Sequence, residues 1–113
     1  MPKEQVKIVV FTPIEAADKV RHALGEAGAG RIGNYDFCSF SSRGTGRFRP
    51  LEGAQPYMGQ QGQLEAVEEE RIEVVCDRDI LPGVIAKLRE AHPYEEPAID
   101  VYPLISLDSL GNE

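Results

Sequence analysis

The chain has 113 residues, with 42% hydrophobic and 27% charged residues and a formal net charge of −7. This length fits a single domain that buries its own core, and the composition argues against global disorder. The negative charge argues against nucleic-acid binding. No apolar run approaches the roughly 20 residues that span a bilayer, and the N-terminus lacks a signal peptide's apolar stretch. We therefore expect a cytoplasmic protein that binds no membrane.

The first third of the chain predicts a strand followed by a helix. β-Branched residues dominate positions 6–11, as is typical of a central strand with two apolar faces. Thr12 and Pro13 favour a helix start, with Thr12 as the cap and Pro13 in the first helical position. Apolar residues then recur at helical spacing over 14–27, and Gly28 favours the end of this helix in a left-handed conformation.

The middle of the chain predicts a second strand and then a long irregular segment. Residues 35–41 are rich in aromatic residues and roughly alternating, which indicates a strand. Glycines and prolines interrupt residues 42–64, which is typical of a functional or interface loop and equally consistent with an extended hairpin arm. Cys38 and Cys76 both lie in strand-like runs, so we expect two buried, reduced thiols.

The last third predicts a strand, a helix and a final strand. Residues 71–76 alternate as a third strand, and Asp79 favours the cap of a helix whose apolar stripe runs through 81–91. Pro93 ends that helix, and residues 98–102 indicate the fourth strand. The complete order predicts an α+β fold of the ferredoxin-like type, β-α-β-β-α-β.

The predicted architecture leaves one face of the sheet without helices, because two helices cover only one side of four strands. The first two strands are apolar or aromatic on both sides, so the open face also requires cover. Other subunits supply that cover most simply, and we expect a homo-oligomer. We expect the whole chain, 1–113, to be one domain with an ordered core at about 5–104.

Four stretches of the chain resemble a known family. They are 44–53 (GTGRFRPLEG), 69–74 (EERIEV), 91–98 (AHPYEEPA) and 100–104 (DVYPL). In this order they are similar to the YqfO-type domain, which is the insert found in many bacterial members of the NGG-interacting-factor-three-like proteins. The resemblance covers about residues 5–104.

This resemblance implies a fold like that of the CutA cation-tolerance proteins and the PII signalling proteins, which form trimers, so we expect a homotrimer. In PII-like proteins the loop corresponding to 42–64 is the regulatory one. The full-length family holds a two-metal centre in its flanking domains. This chain has only two histidines, His22 and His92, so that centre is not carried over. The chain resembles a free-standing version of the insert.

The turn His92-Pro93-Tyr94-Glu95-Glu96-Pro97 is one candidate site. His92, Glu95 and Glu96 offer an imidazole and carboxylates to a divalent ion, which suits Zn or Cu better than Mg. The alternative is structural: His92 caps the helix as a cation, Tyr94 packs, and the glutamates bind backbone amides or arginines. In the first case His92→Ala weakens ligand binding far more than folding.

The glycine-rich segment is the second candidate site. Its hydroxyls, flexible backbone and guanidinium groups are the features that phosphates and carboxylates require. The ligand-binding residues that we predict are Arg43, Arg47, Arg49 and Glu52 from this segment, with Tyr94 from the turn. The alternative is that the arginines pair with the acidic run 65–73 across a subunit interface.

The sequence thus leaves three functions open. The first is a non-enzymatic regulatory module, a homotrimer that binds a small anion, a nucleotide or a metal ion at a subunit interface. The second is an interaction module that docks onto another protein through its glycine-rich arm. The third is a metal-dependent hydrolase, which ranks last because it requires an open coordination position and more ligands than two histidines supply.

Overall fold

The structure, a computed structural model, describes residues 3–110. Its strands and helices are β1 (Gln5–Pro13), α1 (Ala17–Glu26), β2 (Phe40–Phe48), β3 (Glu65–Asp77), α2 (Leu81–Ala91) and β4 (Ile99–Pro103). Short 3-10 turns precede each helix, and another, Leu107–Ser109, follows β4. The predicted α+β, ferredoxin-like order β-α-β-β-α-β is confirmed.

The four strands form one antiparallel sheet in the order β2-β3-β1-β4. β1 is central and pairs with β3 along its whole length, from Gln5 opposite Asp77 to Pro13 opposite Glu69. Since β2 and β4 each pair with only one strand, they are the two edges of the sheet.

The core lies between the sheet and the two helices. Alternate residues of β1 and β3 point to this side, because successive side chains of a strand face opposite ways. The apolar stripes of both helices pack against them, as their helical spacing predicts. The buried cluster includes Val6, Ile8, Val10, Ile72, Val74, Cys76, Ala17, Val20, Leu24, Val84 and Leu88.

The opposite face, which we call the open face, has no helix over it in the part of the chain that the structure describes. Charged side chains shield it in part. Arg71 lies over the ring of Phe11, 5.6 Å from its centroid, and Lys7 forms an ion pair with Glu73 at 3.5 Å. Val9 between them is fully buried. The open face therefore carries both apolar residues and charges.

The predicted helix start at Thr12 is wrong. Both Thr12 and Pro13 belong to β1, because the long strand β3 offers them partners at Glu70 and Glu69. Pro13 is extended, with φ −60° and ψ 149°, and Thr12 caps no helix; its hydroxyl donates to the carbonyl of Pro13 instead. Pairing with a neighbouring strand thus outweighs the local helix-start signal.

The second strand lies later than predicted, at Phe40–Phe48 and not at 35–41. β2 pairs with β3 from Phe40 opposite Glu73 to Phe48 opposite Glu65. The irregular segment is therefore shorter, 49–64, and the hairpin arm is the correct alternative. We use "arm" for β2, the outer half of β3 and the loop 49–64. The molecule is elongated, with principal dimensions of 56 × 26 × 24 Å.

Two smaller predictions also need correction. Cys38 is only half-buried and lies outside any strand, whereas Cys76 is buried in β3 as expected; both thiols are free. Asp79 does not cap α2, whose N-cap is Ile80. The carboxylate of Asp79 instead forms an ion pair with Lys3 at 3.4 Å.

Candidate functional site

The turn between α2 and β4 begins at His92, where α2 ends as predicted. His92 is extended because Pro93 follows it, and its amide N–H donates to the carbonyl of Leu88 at 3.0 Å. The buried ring makes two hydrogen bonds: Nδ1 accepts from the amide of Tyr94 at 3.1 Å, and Nε2 lies 2.7 Å from the carbonyl of Phe11. Since Nδ1 accepts, Nε2 carries the proton and donates it to Phe11.

This environment favours neutral His92. Burial lowers the pKa of His92 below its ordinary value, outweighing the hydrogen bond to Phe11 and the charge of Glu69, which raise it. These contacts resemble those of the structural alternative, except that burial and the bond from the Tyr94 amide favour a neutral ring over a cationic one. Among residues 3–110, no group of three His, Cys, Asp or Glu side chains is arranged to hold a metal. The metal site of His92, Glu95 and Glu96 is not assembled here and stays a prediction.

Tyr94 connects this turn to the arm. Its hydroxyl donates to the Glu69 carboxylate at 2.8 Å, and its ring packs against those of His92 and Tyr57, with centroids 4.9 and 6.0 Å away. Burial and the bond to Glu69 raise the pKa of Tyr94 above its ordinary value, so the hydroxyl remains a donor at neutral pH. Tyr94 is thus held in one position by contacts from the turn and from the arm.

Two further bonds fold the loop of the arm back towards the body of the domain. Glu95 accepts a hydrogen bond from the amide of Gln55 at 3.0 Å. The hydroxyl of Tyr57 donates to Glu15 at 3.1 Å. The loop 49–64 is therefore tied both to the turn and to the start of the first helical segment.

A cavity of about 780 Å³ lies between the arm and the turn, on the open face of the sheet. This volume falls in the range of small-molecule sites. Aromatic and apolar groups dominate its walls. Its lining includes Phe11, Phe48, Leu51, Ala54, Pro56, Tyr57, Met58, Glu69, Arg71 and Ala98.

Six of the eight predicted site residues border this one cavity, namely Arg43, Arg47, Arg49, Tyr94, Glu95 and Glu96. The two remote parts of the sequence therefore meet within a single chain. His92 supports the turn from behind, and Glu52 lies exposed outside the lining. Arg71 was missed by the sequence reasoning, although its alternation in the third strand was a usable signal that it faces the same side as Glu69.

The arginines of the arm differ in where they point. The register pairs Arg43 with Glu70 and Arg47 with Ala66, which places their side chains on the helix side of the arm, opposite Gly44 and Gly46. Arg49 follows the end of β2. All three are exposed, and among the residues described here none forms an ion pair within 4.0 Å. The register therefore turns Arg43 and Arg47 away from the open face, and we expect Arg49 to be the arm arginine that faces the cavity.

Several acids of the run 65–73 have partners within the chain. Glu70 is buried and contacts the guanidinium of Arg21 on α1. Glu73 accepts from Arg71 at 3.2 Å, and Glu68 accepts from the Thr45 hydroxyl at 3.1 Å. Pairing of this run with arginines of another subunit stays a prediction.

The chain is similar in sequence to several known proteins. No protein-family model matches the chain. It is 54% identical over 98 residues to the "GTP cyclohydrolase 1 type 2 homolog" of Halalkalibacterium halodurans, covering 87% of this chain and 26% of that protein. The chain therefore spans about a quarter of the length of the curated relatives it matches.

Solved structures of related proteins also resemble the chain. A Bacillus cereus protein related to NIF3 superposes with a TM-score of 0.81 at 53% identity, covering 92% of this chain and 26% of that one. The periplasmic divalent cation tolerance protein CutA of Archaeoglobus fulgidus superposes with a TM-score of 0.67 at 19% identity, covering 93% and 89%. At that identity the likeness to CutA shows the fold alone.

Fold and site together define a CutA-like α+β domain whose arm and last turn enclose a cavity of ligand size. The resemblance noted in the sequence, to the YqfO-type insert domain of the NIF3-like family, is confirmed by these relatives. Within residues 3–110, no helix is long and apolar enough to cross a membrane.

Proposed function

We propose that the chain is a non-enzymatic, oligomeric module that binds a small anionic ligand with an aromatic or apolar part. The observation that carries this proposal is the single cavity in which the predicted residues of the arm and of the turn meet. A homotrimer, as the resemblance implies, covers the open face and gives the cavity a subunit boundary. The protein then acts as a sensing or regulatory domain.

The ligand class follows from the walls of the cavity. Phe48, Tyr57 and Tyr94 offer aromatic surface, on which a planar group stacks. Arg49 on the arm and Arg71 on the open face supply guanidinium groups that match phosphate or carboxylate oxygens. A ligand that has only the planar group or only the anionic group therefore lacks one of these two sets of contacts.

The experiment is calorimetric titration with three probes. GTP is the first probe, because the curated relatives bear the name GTP cyclohydrolase 1 type 2 homolog. Inorganic triphosphate carries the anion alone, and guanosine carries the aromatic part alone. We expect GTP to bind at least tenfold more tightly than either, and R49A/R71A to weaken GTP binding while the exposed control R31A leaves it unchanged. Equal binding of GTP by all three proteins would refute the site.

A second candidate, docking of another protein through the arm, is favoured by one observation. The loop of the arm exposes large apolar side chains, including Leu51 and Leu64, which are 63% and 82% exposed. Under this alternative no small ligand raises the melting temperature. Deleting residues 43–62 then abolishes partner capture and leaves ligand titrations flat.

A divalent ion is a separate proposal for the turn. Zn²⁺ or Cu²⁺ at His92 requires the ring to release either Phe11 or Tyr94, since both of its nitrogens are engaged. Titration with Zn²⁺ alone, followed by native mass spectrometry, tests it, with E95Q/E96Q as the variant. Metal uptake that E95Q/E96Q leaves unchanged would exclude these glutamates as ligands. Metal-dependent hydrolysis ranks below both alternatives.

A further inference from the structure

We propose that the outer part of the loop of the arm, residues 51–61, is a lid that opens and closes over the cavity. We call these residues the lid. Its role rests on the proposed ligand-binding function, because the lid gives that site a gate through which a ligand enters and leaves. The lid thus controls the rates of binding and release, whereas the charged and aromatic residues of the cavity control the affinity.

The lid forms one wall of the cavity. The lid residues that border the cavity are Leu51, Ala54, Pro56, Tyr57 and Met58. The ring of Tyr57 packs against that of Tyr94, with centroids 6.0 Å apart, so the lid and the turn meet at these two rings. Displacing the lid therefore removes this wall and widens the opening of the cavity.

Burial does little to hold the lid in place. All of its residues are exposed except Gly59, which is half-buried, and none belongs to the buried hydrophobic cluster. Its backbone hydrogen bonds, in the part of the chain that the structure describes, stay within the loop 49–64; the amide of Ala54, for example, donates to the carbonyl of Leu51 at 3.1 Å. Segments with few buried contacts and an exposed backbone open at low free-energy cost.

Two hydrogen bonds tie the lid to the body of the domain, and both end on exposed carboxylates. Glu95 in the turn accepts from the amide of Gln55 at 3.0 Å, and Glu15, just before α1, accepts from the hydroxyl of Tyr57 at 3.1 Å. Between residues 3 and 110, no other hydrogen bond joins the lid to the body. Because water replaces such exposed bonds, breaking one should raise the population with the lid open by about fivefold.

The base of the lid is fixed more firmly than its outer part. The amide of Gly62 donates to the carbonyl of Pro50 at 2.8 Å and closes the loop there. Pro50 is buried, and the pairing of β2 with β3 begins just beyond it, at Phe48 opposite Glu65. We therefore expect the lid to move about this base while the base itself stays closed.

Amide hydrogen exchange tests the motion without any ligand. Tyr57→Phe keeps the ring and removes only the bond to Glu15. The amide of Gln55 should then exchange about fivefold faster although its own bond to Glu95 is untouched, because both bonds break when the lid opens. The amide of Gly62 at the base should keep its wild-type rate.

Tyr35→Phe is the matched control, since it removes an exposed hydroxyl outside the cavity lining. It should leave the exchange of both amides unchanged. No acceleration at Gln55 in Tyr57→Phe would overturn the lid, whether or not the protein binds GTP.

Stopped-flow kinetics with a fluorescent GTP, mant-GTP, tests the gate. The two bonds are present without ligand, so loosening the lid should speed entry and exit alike. Tyr57→Phe and Glu95→Ala should each raise the association and dissociation rates about fivefold, with Kd changed less than twofold. R49A/R71A, which removes contacts to the anion, should raise the dissociation rate alone and weaken Kd.

The two tests separate the lid from the ligand class. A faster dissociation with an unchanged association rate in Tyr57→Phe and Glu95→Ala would overturn the gate, because it would make these residues ligand contacts. Faster exchange at Gln55 in a protein that binds no GTP would support the lid and refute the proposed ligand.

Discussion

The hydroxyl of Tyr94 donates a 2.8 Å hydrogen bond to the carboxylate of Glu69, and this bond joins the turn after α2 to the arm. Both residues border the cavity. Tyr94 is also positioned by His92, whose ring packs against the tyrosine ring and accepts a hydrogen bond from the amide of Tyr94. The arm is therefore tied, through Tyr94, to a buried histidine that is bonded to the central strand.

Removing this hydroxyl should loosen the arm. In Tyr94→Phe the partly buried Glu69 loses its donor, and we expect the free energy of unfolding to fall by about 1 to 2 kcal/mol. Tyr57→Phe, which removes the exposed hydroxyl bonded to Glu15, is the control and should have a smaller effect. Urea denaturation measures both, and equal losses would contradict the central role of Tyr94.

The two glycines of β2 should respond differently to an added methyl group. A Cβ at Gly46 would lie 2.1 Å from the Glu69 carboxylate, whereas a Cβ at Gly44 meets nothing within 4 Å. Gly46→Ala should therefore destabilise by about 1 to 2 kcal/mol by displacing Glu69, and Gly44→Ala should be neutral or slightly stabilising.

This effect of Gly46→Ala should depend on Tyr94, because Tyr94 is what holds Glu69 in place. In the Tyr94→Phe background Glu69 is free to move, so the cost of Gly46→Ala should shrink. A double-mutant cycle from thermal melts measures the coupling. Additive losses would show that the methyl group acts elsewhere.

His92 should make stability depend on pH. Burial lowers the pKa of His92 below the ordinary value of 6.5. There is therefore a pH range below 6.5 in which His92 is protonated in the unfolded chain and neutral in the folded protein. The free energy of unfolding should therefore fall as pH drops from above 6.5 through the folded pKa. His92→Gln should remove this dependence, and His22→Gln, at an exposed residue, should retain it.

Denaturation curves at pH 5 to 8 supply the measurement. At the top of this range His92→Gln should still be less stable than wild type by about 1 to 3 kcal/mol, because the carbonyl of Phe11 or the amide of Tyr94 loses its partner. An unchanged pH profile in His92→Gln would show that another group is responsible.

Gly25 in α1 should tolerate no side chain. Phe37, with a positive φ of 55°, lies against it, and a Cβ at Gly25 would come within 2.1 Å of the ring. Gly25→Ala should destabilise by about 1 to 3 kcal/mol. Gly83→Ala in α2, where nothing lies within 4 Å, should stabilise by about 0.5 kcal/mol. Thermal melts compare the stabilities of the two variants. A Gly25→Ala variant as stable as wild type would contradict the contact with Phe37.

The sequence predicted the parts of this molecule that depend on local pattern. The apolar stripes of both helices and the end of α2 just before Pro93 follow from spacing and proline geometry. The extent of β2 to Phe48 does not follow from local pattern, because Gly44 and Gly46 weaken the strand signal and pairing with β3 determines the outcome. Likewise the bond from His92 to Phe11 joins residues 81 positions apart, and no local pattern reports it.

Native mass spectrometry of the protein purified without chelator, with and without added GTP, tests the central claim most directly. We predict a closed oligomer that takes up GTP in wild type and R31A, and that loses this uptake in R49A/R71A. A monomer, or an oligomer that takes up no GTP, would contradict the proposed binding module.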